Sequence, residues 1–282
     1  MQTVDELIDG IRSLPPAPRV LLRLLEILSK PDSDFSEVVG LLRFEPSLTV
    51  HLLRLCNSAF LSPGNRVDTV QEAVFRLGSQ QVTQLVVCLC SQGMLAGAQE
   101  GYGIDRGELW DHSVVTALAC SAAVEHTGQS SDLVFTAGLL HDIGKIALSQ
   151  ALAGRYAEMV AAVASENLTI VEVENRLLGM DHAEVGGRLL ERWGFTGPVV
   201  DAVRHHHDPK RSGSASELAS QVYVGNVLAH FMGHGYGHHA MAMHGHQEAL
   251  QLAALAPGDI PLLMMGTMDK LRVNESLLNI KA

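Results

Sequence analysis

The chain reads as helix almost throughout. Residues 4 to 12 form an amphipathic helix with Leu7, Ile8 and Ile11 on one side. Leu14-Pro15-Pro16-Ala17-Pro18 interrupts it. Val20 to Ser29 places Leu21, Leu24, Leu25 and Leu28 at helical spacing, and Pro31 ends that run. Helices follow over Phe35 to Phe44 and Leu48 to Asn57, with Glu45-Pro46-Ser47 as the break between them. Thr69 begins a helix that Gly78 stops, and a mostly apolar helix runs from about Gln80 to Leu95. Leu85-Val86-Val87 has strand-like composition, but no partner strand is evident.

Gly97, Gly101, Gly103 and Gly107 mark a junction between two lobes. The second lobe opens with a helix from about Glu108 to His126. A further helix, capped by Ser130 or Ser131, runs to His141-Asp142. Helices of roughly 155 to 166, 170 to 178, 181 to 193 and 197 to 207 come next, then a polar loop from Pro209 to Ser214. Glu217 to Met232 is the last long helix, before a His- and Gly-rich stretch and one or two short helices. The expectation is an all-α, multi-helix, two-lobe architecture. Residues 1–100 would form the first lobe, 108–235 a His-bearing lobe and 236–282 an extension.

Composition narrows the function classes. The 282 residues carry 31 acidic against 20 basic side chains, a net charge of -11. That balance argues against general nucleic-acid binding, which needs a basic face, but not against a small phosphorylated ligand in a local positive pocket. Cys56, Cys88, Cys90 and Cys120 form no CxxC pair and read as buried thiols of a reducing cytoplasm. No signal peptide is visible and no apolar run is long enough to span a bilayer, so a cytoplasmic location without membrane contact is expected.

The chemistry gathers around Leu139-Leu140-His141-Asp142-Ile143-Gly144-Lys145. Imidazole and carboxylate both ligate divalent metals. Adjacent helical residues point different ways, so the pair could share an ion if the helix ends there, as Gly144 suggests. The plainer reading is a helix end with solvated polar groups. What favours a site is the wider set. His112, His182 and the His205-His206-His207 run each lie near an end of a different helix, and helical bundles build metal sites from facing helices. Lys145 could give a phosphate a point charge, or merely complement a helix terminus. The histidines at 230, 234, 238, 239, 244 and 246 read as a loop, or as a metal-binding tract.

In this order the residues resemble the HD superfamily of metal-dependent phosphohydrolases. His112, Leu140-His141-Asp142-Ile143-Gly144-Lys145, His182 with Val185-Gly186, and the His205–His207 run carry the likeness. The last two features are shared with the branch that cleaves cyclic di-GMP. That branch also has a Glu after the paired His and a Gly-Tyr-Pro signature. Here Asp208-Pro209 follows, and Gly235-Tyr236-Gly237 is no equivalent. The superfamily's final Asp falls at Asn226, a weaker ligand with one less negative charge.

Leu14-Pro15-Pro16-Ala17-Pro18, Glu45-Pro46-Ser47-Leu48-Thr49, the segment from Leu53 to Phe60 and Ala73-Val74-Phe75-Arg76-Leu77-Gly78 resemble the HDOD domain, the HD-related output domain of bacterial signalling proteins. Trp193-Gly194-Phe195 fits it too. The resemblance implies metal ligation by His112, His141, Asp142, His182, His206 and Asn226. Asp142 and Lys145 would be the catalytic residues if the chain is active. It implies one or two divalent transition ions (Fe, Mn, Zn or Ni). The partners implied are signalling proteins or a fused receiver domain, with a small phosphorylated nucleotide as a further candidate. Many HDOD members have lost metal ligands and are regarded as regulatory, whereas this chain keeps most positions. Three functions compete: a regulatory output module, a metal-dependent phosphohydrolase such as a cyclic-nucleotide phosphodiesterase, and a metal or redox sensor using the His-rich tail. Asn57-Ser58 reads either as interlobe packing through side-chain-to-backbone hydrogen bonds or as a partner surface.

Overall fold

The computed structural model describes residues 3–11, 19–28, 35–43, 46–57, 66–128, 133–166, 168–236 and 246–274. The described residues are helical with no named strand; Gln99 and Ile104 make an isolated bridge. In order the helices are α1 (Val4–Gly10), α2 (Arg19–Leu28), α3 (Phe35–Arg43), α4 (Pro46–Cys56) and α5 (Val70–Leu95). After the glycine-rich junction come α6 (Glu108–Thr127), α7 (Val134–Leu140), α8 (Gly144–Ala151), α9 (Tyr156–Glu166) and α10 (Ile170–Leu178). The chain continues as α11 (His182–Arg192), α12 (Pro198–Arg204), α13 (Ser216–Phe231), α14 (His246–Leu252) and α15 (Ile260–Val273). The all-α expectation holds. Leu85, Val86 and Val87 are buried in α5, helical despite their composition.

The N-terminal helices pack through α2, α3 and α4 onto α5. Gly78 breaks α5 with φ of 77°, a backbone that side-chain-bearing residues avoid. Asn57 ties the end of α4 to the start of α5. Its amide donates to the carbonyls of Leu53 (2.8 Å) and Val67 (2.7 Å), and its carbonyl accepts from Val67 N–H (2.8 Å). The side-chain-to-backbone hydrogen bonds expected of Asn57 are present, but they join two helices of the first lobe rather than the two lobes. Ser58, the Pro15–Pro18 break and the cap expected at Ser130 or Ser131 lie outside the described residues.

The second lobe is centred on α6, which is buried on nearly all sides by α7, α13 and α15. Small residues allow this. A Cβ on Gly138 would stand 2.9 Å from Cys120 Sγ, and one on Gly225 would stand 2.4 Å from the same atom. The Cys56, Cys88 and Cys120 thiols are free and buried, and burial pushes all three pKa values up. The helix α1 packs on α8 and α11, with Leu7 and Ile8 buried and Asp5 and Asp9 paired to Arg188 and Arg192. No helix among the described residues is long and apolar enough to cross a membrane.

Two details differ from the sequence pattern and both matter below. The helix expected over 197 to 207 ends at Arg204, leaving His205–His207 in a turn. Gly144, expected to close a helix, opens α8 instead. It is required by close approach: a Cβ there would lie 2.0 Å from the His182 carbonyl oxygen and 2.6 Å from Gly186 N.

Candidate metal centre

The four histidines and the aspartate expected as ligands come together at the centre of the second lobe. His112 enters from the second turn of α6, His141 and Asp142 from the turn after α7, His182 from the first residue of α11, and His206 from the turn after α12. All are buried, with exposures of 0% or 1%. The Gly144–Gly186 contact brings α8 against α11 and so sets His182 beside Asp142. Asp181 caps α11 by accepting from Glu184 N–H, which fixes the helix start at His182.

The ring orientations share one logic. His112 Nδ1 faces the His234 carbonyl (2.8 Å), His141 Nδ1 that of Gly138 (2.8 Å), and His206 Nδ1 that of Val203 (2.8 Å). A carbonyl only accepts, so each Nδ1 carries the hydrogen and each Nε2 turns inward. His112 Nε2 and His141 Nε2 are 3.3 Å apart. They lie 3.8 and 3.3 Å from Asp142 Oδ2. On the other side, His182 Nε2 is 3.1 Å from Asp142 Oδ1 and 2.9 Å from His207 Nε2, with His206 Nε2 3.9 Å from the same oxygen. Two sets of donor atoms result, His112–His141–Asp142 and His182–His206–His207, each within 4.8 Å. Asp142 stands between them with one oxygen toward each.

The residues fit a metal. Two inward lone pairs 3.3 Å apart repel unless something cationic lies between them. Ion–nitrogen distances of about 2.0–2.1 Å put two nitrogens on one ion roughly 3.0–3.4 Å apart. His206 Nε2 and Asn226 Oδ1 are buried without a hydrogen-bond partner, and Asp142 Oδ1 has no well-aligned donor. Asn226 sits on α13 one turn before His230, whose ring centroid is 4.7 Å from that of His112.

The titration behaviour sets His182 apart from His112, His206 and His207. Burial, reinforced by neighbouring histidines, holds His112, His206 and His207 well below the usual imidazole value. Burial acts on His182 in the same direction, but the Glu174 and Asp142 carboxylates outweigh it and place His182 at about 9. Burial would raise Asp142, yet His141 and Lys145 hold it well below the carboxylate range.

Sequence reasoning missed three of the residues gathered here. Glu174, fully buried on α10, accepts from His182 Nδ1 (2.7 Å), from His182 N–H (2.9 Å) and from the Tyr102 hydroxyl (2.6 Å). The available signal was a carboxylate set on the apolar stripe of Ile170, Val173 and Leu177. Tyr102 belongs to the glycine-rich junction, read only as a linker. Tyr236, set aside with its flanking glycines, donates its hydroxyl to Asp142 Oδ2 and accepts from Lys145 Nζ (2.7 Å). Lys145 also reaches Asp142 Oδ2 at 2.7 Å. His205 belongs to neither donor set. Of the His-rich stretch, His238, His239 and His244 lie outside the described residues.

The HDOD domain model matches residues 14–209. A protein of unknown function from Geobacter sulfurreducens that carries an HDOD domain superposes with a TM-score of 0.75 at 23% identity, covering 97% of this chain and 95% of that one. A candidate phosphohydrolase from Shewanella amazonensis superposes with a TM-score of 0.71 at 25% identity, covering 98% and 96%. An uncharacterized protein of Treponema pallidum is 26% identical over 227 residues, which are 79% of this chain and 44% of that protein. The chain thus spans less than half the length of that curated relative.

Proposed function

The chain belongs to the HDOD family, and from that premise we propose that it is a regulatory output domain of bacterial signal transduction, built around a retained HD-type metal centre. The observation that carries this reading is closure of the centre. His112, His141, Asp142, His182 and His206 are buried, with His207 half-buried, and the Asp142 oxygen nearest Lys145 is covered by the Tyr236 hydroxyl. A phosphodiester would need that position. Replacement of the superfamily's final carboxylate by Asn226 points the same way, because it removes one charge from the ligand field.

His112, His141 and Asp142 would hold one ion, and Asp142, His182 and His206 a second, with Asn226 as a neutral oxygen donor. A bound divalent ion supplies Lewis acidity and lowers the pKa of a coordinated water. In a closed centre the same ions would clamp α6, the turn after α7, α11 and the turn after α12 together. The partners proposed are signalling proteins, a receiver domain among them. A second reading, metal-dependent hydrolysis of a cyclic nucleotide, is favoured by Lys145, whose ammonium beside Asp142 could meet a phosphoryl oxygen.

The test is elemental analysis of purified protein and its His141→Ala variant, with assays against cyclic di-GMP and bis(p-nitrophenyl) phosphate. We expect Fe, Mn, Zn or Ni in the parent protein, loss of it in the variant, and no turnover by either. Turnover abolished by Asp142→Ala would replace the regulatory reading with the hydrolytic one. A parent protein without metal would leave the centre vestigial.

A further inference from the structure

The Tyr236 phenol is delivered to the centre by an ordered turn. At the end of α13 the N–H groups of Met232, Gly233 and His234 donate to the carbonyls of Leu228, His230 and Ala229, and Gly233 reverses the chain with φ of 85°. The His234 carbonyl then accepts from His112 Nδ1, and the Tyr236 ring packs edge-on against the His112 ring at 4.8 Å between centroids. One short segment therefore orients a ligand histidine and sets an oxygen beside it. Tyr236 is 5% exposed, and its hydroxyl meets Asp142 Oδ2 and Lys145 Nζ.

Charge shows what that oxygen is for. On the His112 side the imidazoles are neutral when they ligate, and the Asp142 carboxylate is offset by the Lys145 ammonium. A divalent ion there would leave a buried excess of two positive charges, which a low-dielectric interior penalises heavily. The Glu174 carboxylate is committed to His182, on the other side. Asn226 brings no charge. Among the described residues that meet Asp142 and Lys145, the oxygen left that can become anionic is the Tyr236 phenol, already within reach of Lys145.

We propose that Tyr236 is a metal ligand, its phenolate oxygen joining His112, His141 and Asp142 on one ion in place of the carboxylate that Asn226 lacks. Ion binding releases the phenol proton to solvent, as it does for other protonated ligands, and Lys145 then donates to the phenolate. The proposal rests on the metal-centre reading above, with the ligand identity added.

The experiment loads the full chain with Fe(II) under argon and oxidises it with ferricyanide. Iron per chain and the visible spectrum are then recorded for the parent, Tyr236→Phe and His141→Ala proteins, with circular dichroism as the folding check. The parent should show a visible phenolate-to-ferric charge-transfer band. Tyr236→Phe should lose the band and bind iron at least about tenfold more weakly. His141→Ala should take up no iron on that side. Iron-loaded parent protein without the band overturns the proposal, whether or not the Phe variant folds. So does a Phe variant with unchanged spectrum and affinity, and both results leave the metal centre standing. A parent protein that takes up no iron, zinc, manganese or nickel overturns the proposal together with the reading it rests on.

Discussion

The two sides of Asp142 differ in how one histidine, His182, is held. His112 and His141 on one side, and His206 on the other, are each oriented by a backbone carbonyl, a neutral acceptor that fixes the ring. His182 is oriented by Glu174, which a tyrosine and a backbone amide hold in turn. A carbonyl comes with the fold, whereas a buried carboxylate is affordable only where an opposite charge meets it. The His182 side therefore stabilises a cation before any ion arrives, and a proton on His182 can serve. The His112 side has no such substitute, and its lone pairs face each other. The contrast teaches that one side tolerates an empty state and the other is built for an occupied one.

The largest expected effect breaks both sides at once. Asp142→Ala removes the oxygen shared between them and leaves Lys145 buried without its carboxylate. We expect loss of all bound metal and destabilisation of about 3–5 kcal/mol, the usual result of stripping one partner from a buried ion pair. Elemental analysis and urea unfolding read the two effects separately. Next, Glu174→Gln should damage one side alone. It keeps the shape but removes the charge that supports His182, and affinity for an ion on that side should fall by roughly 10–100-fold. Titration with zinc should then show one weakened and one unchanged site. Equal weakening of both would erase the distinction.

How much of this was legible in the sequence follows from what each residue answers to. The helices were readable because apolar spacing responds to burial of one face, and His112, His141, Asp142, His182 and His206 were readable because they stand at helix ends in a known order. Gly144 was read as a helix stop, since sequence carries no sign of a neighbouring backbone 2.0 Å from a missing Cβ. Glu174 passed for an ordinary helix charge, although its place on the apolar stripe of α10 was a sign that it turns inward. Tyr236 was invisible for a different reason: its role depends on a chain reversal at Gly233 that brings a distant segment back onto His112.

The pH dependence of the chelated protein sharpens the comparison further, because His182 carries the opposite sign from His112 and His206. His112 and His206 have folded-state values depressed below 6.5, so the unfolded chain takes up protons first on acidification. Their contribution is complete above about pH 6.5 and is lost as pH falls from there toward the folded values. His182 is raised from 6.5 to about 9. Its contribution is complete below about pH 6.5 and is lost as pH rises through 9, a span worth about 3 kcal/mol. Urea midpoints without metal should peak near neutrality. Glu174→Gln should flatten the alkaline limb and leave the acid limb in place.

The smallest effect comes from the surface of α11. Asp5 on α1 receives Arg188 through two bonds of 2.7 and 2.9 Å, and Arg192 bridges Asp5 and Asp9. These pairs are solvated, so each contributes little on its own. They nonetheless grip the helix whose first residue is His182 and leave α6, which carries His112, untouched. Asp5→Asn should lower thermal stability slightly, by less than Glu174→Gln does, and 1 M salt should reproduce most of that loss in the parent protein by screening. Metal affinity on the His112 side should not change. If any site weakens, it should be the one that includes His182, because a loosened α11 shifts that ligand against Asp142 through the Gly144–Gly186 contact.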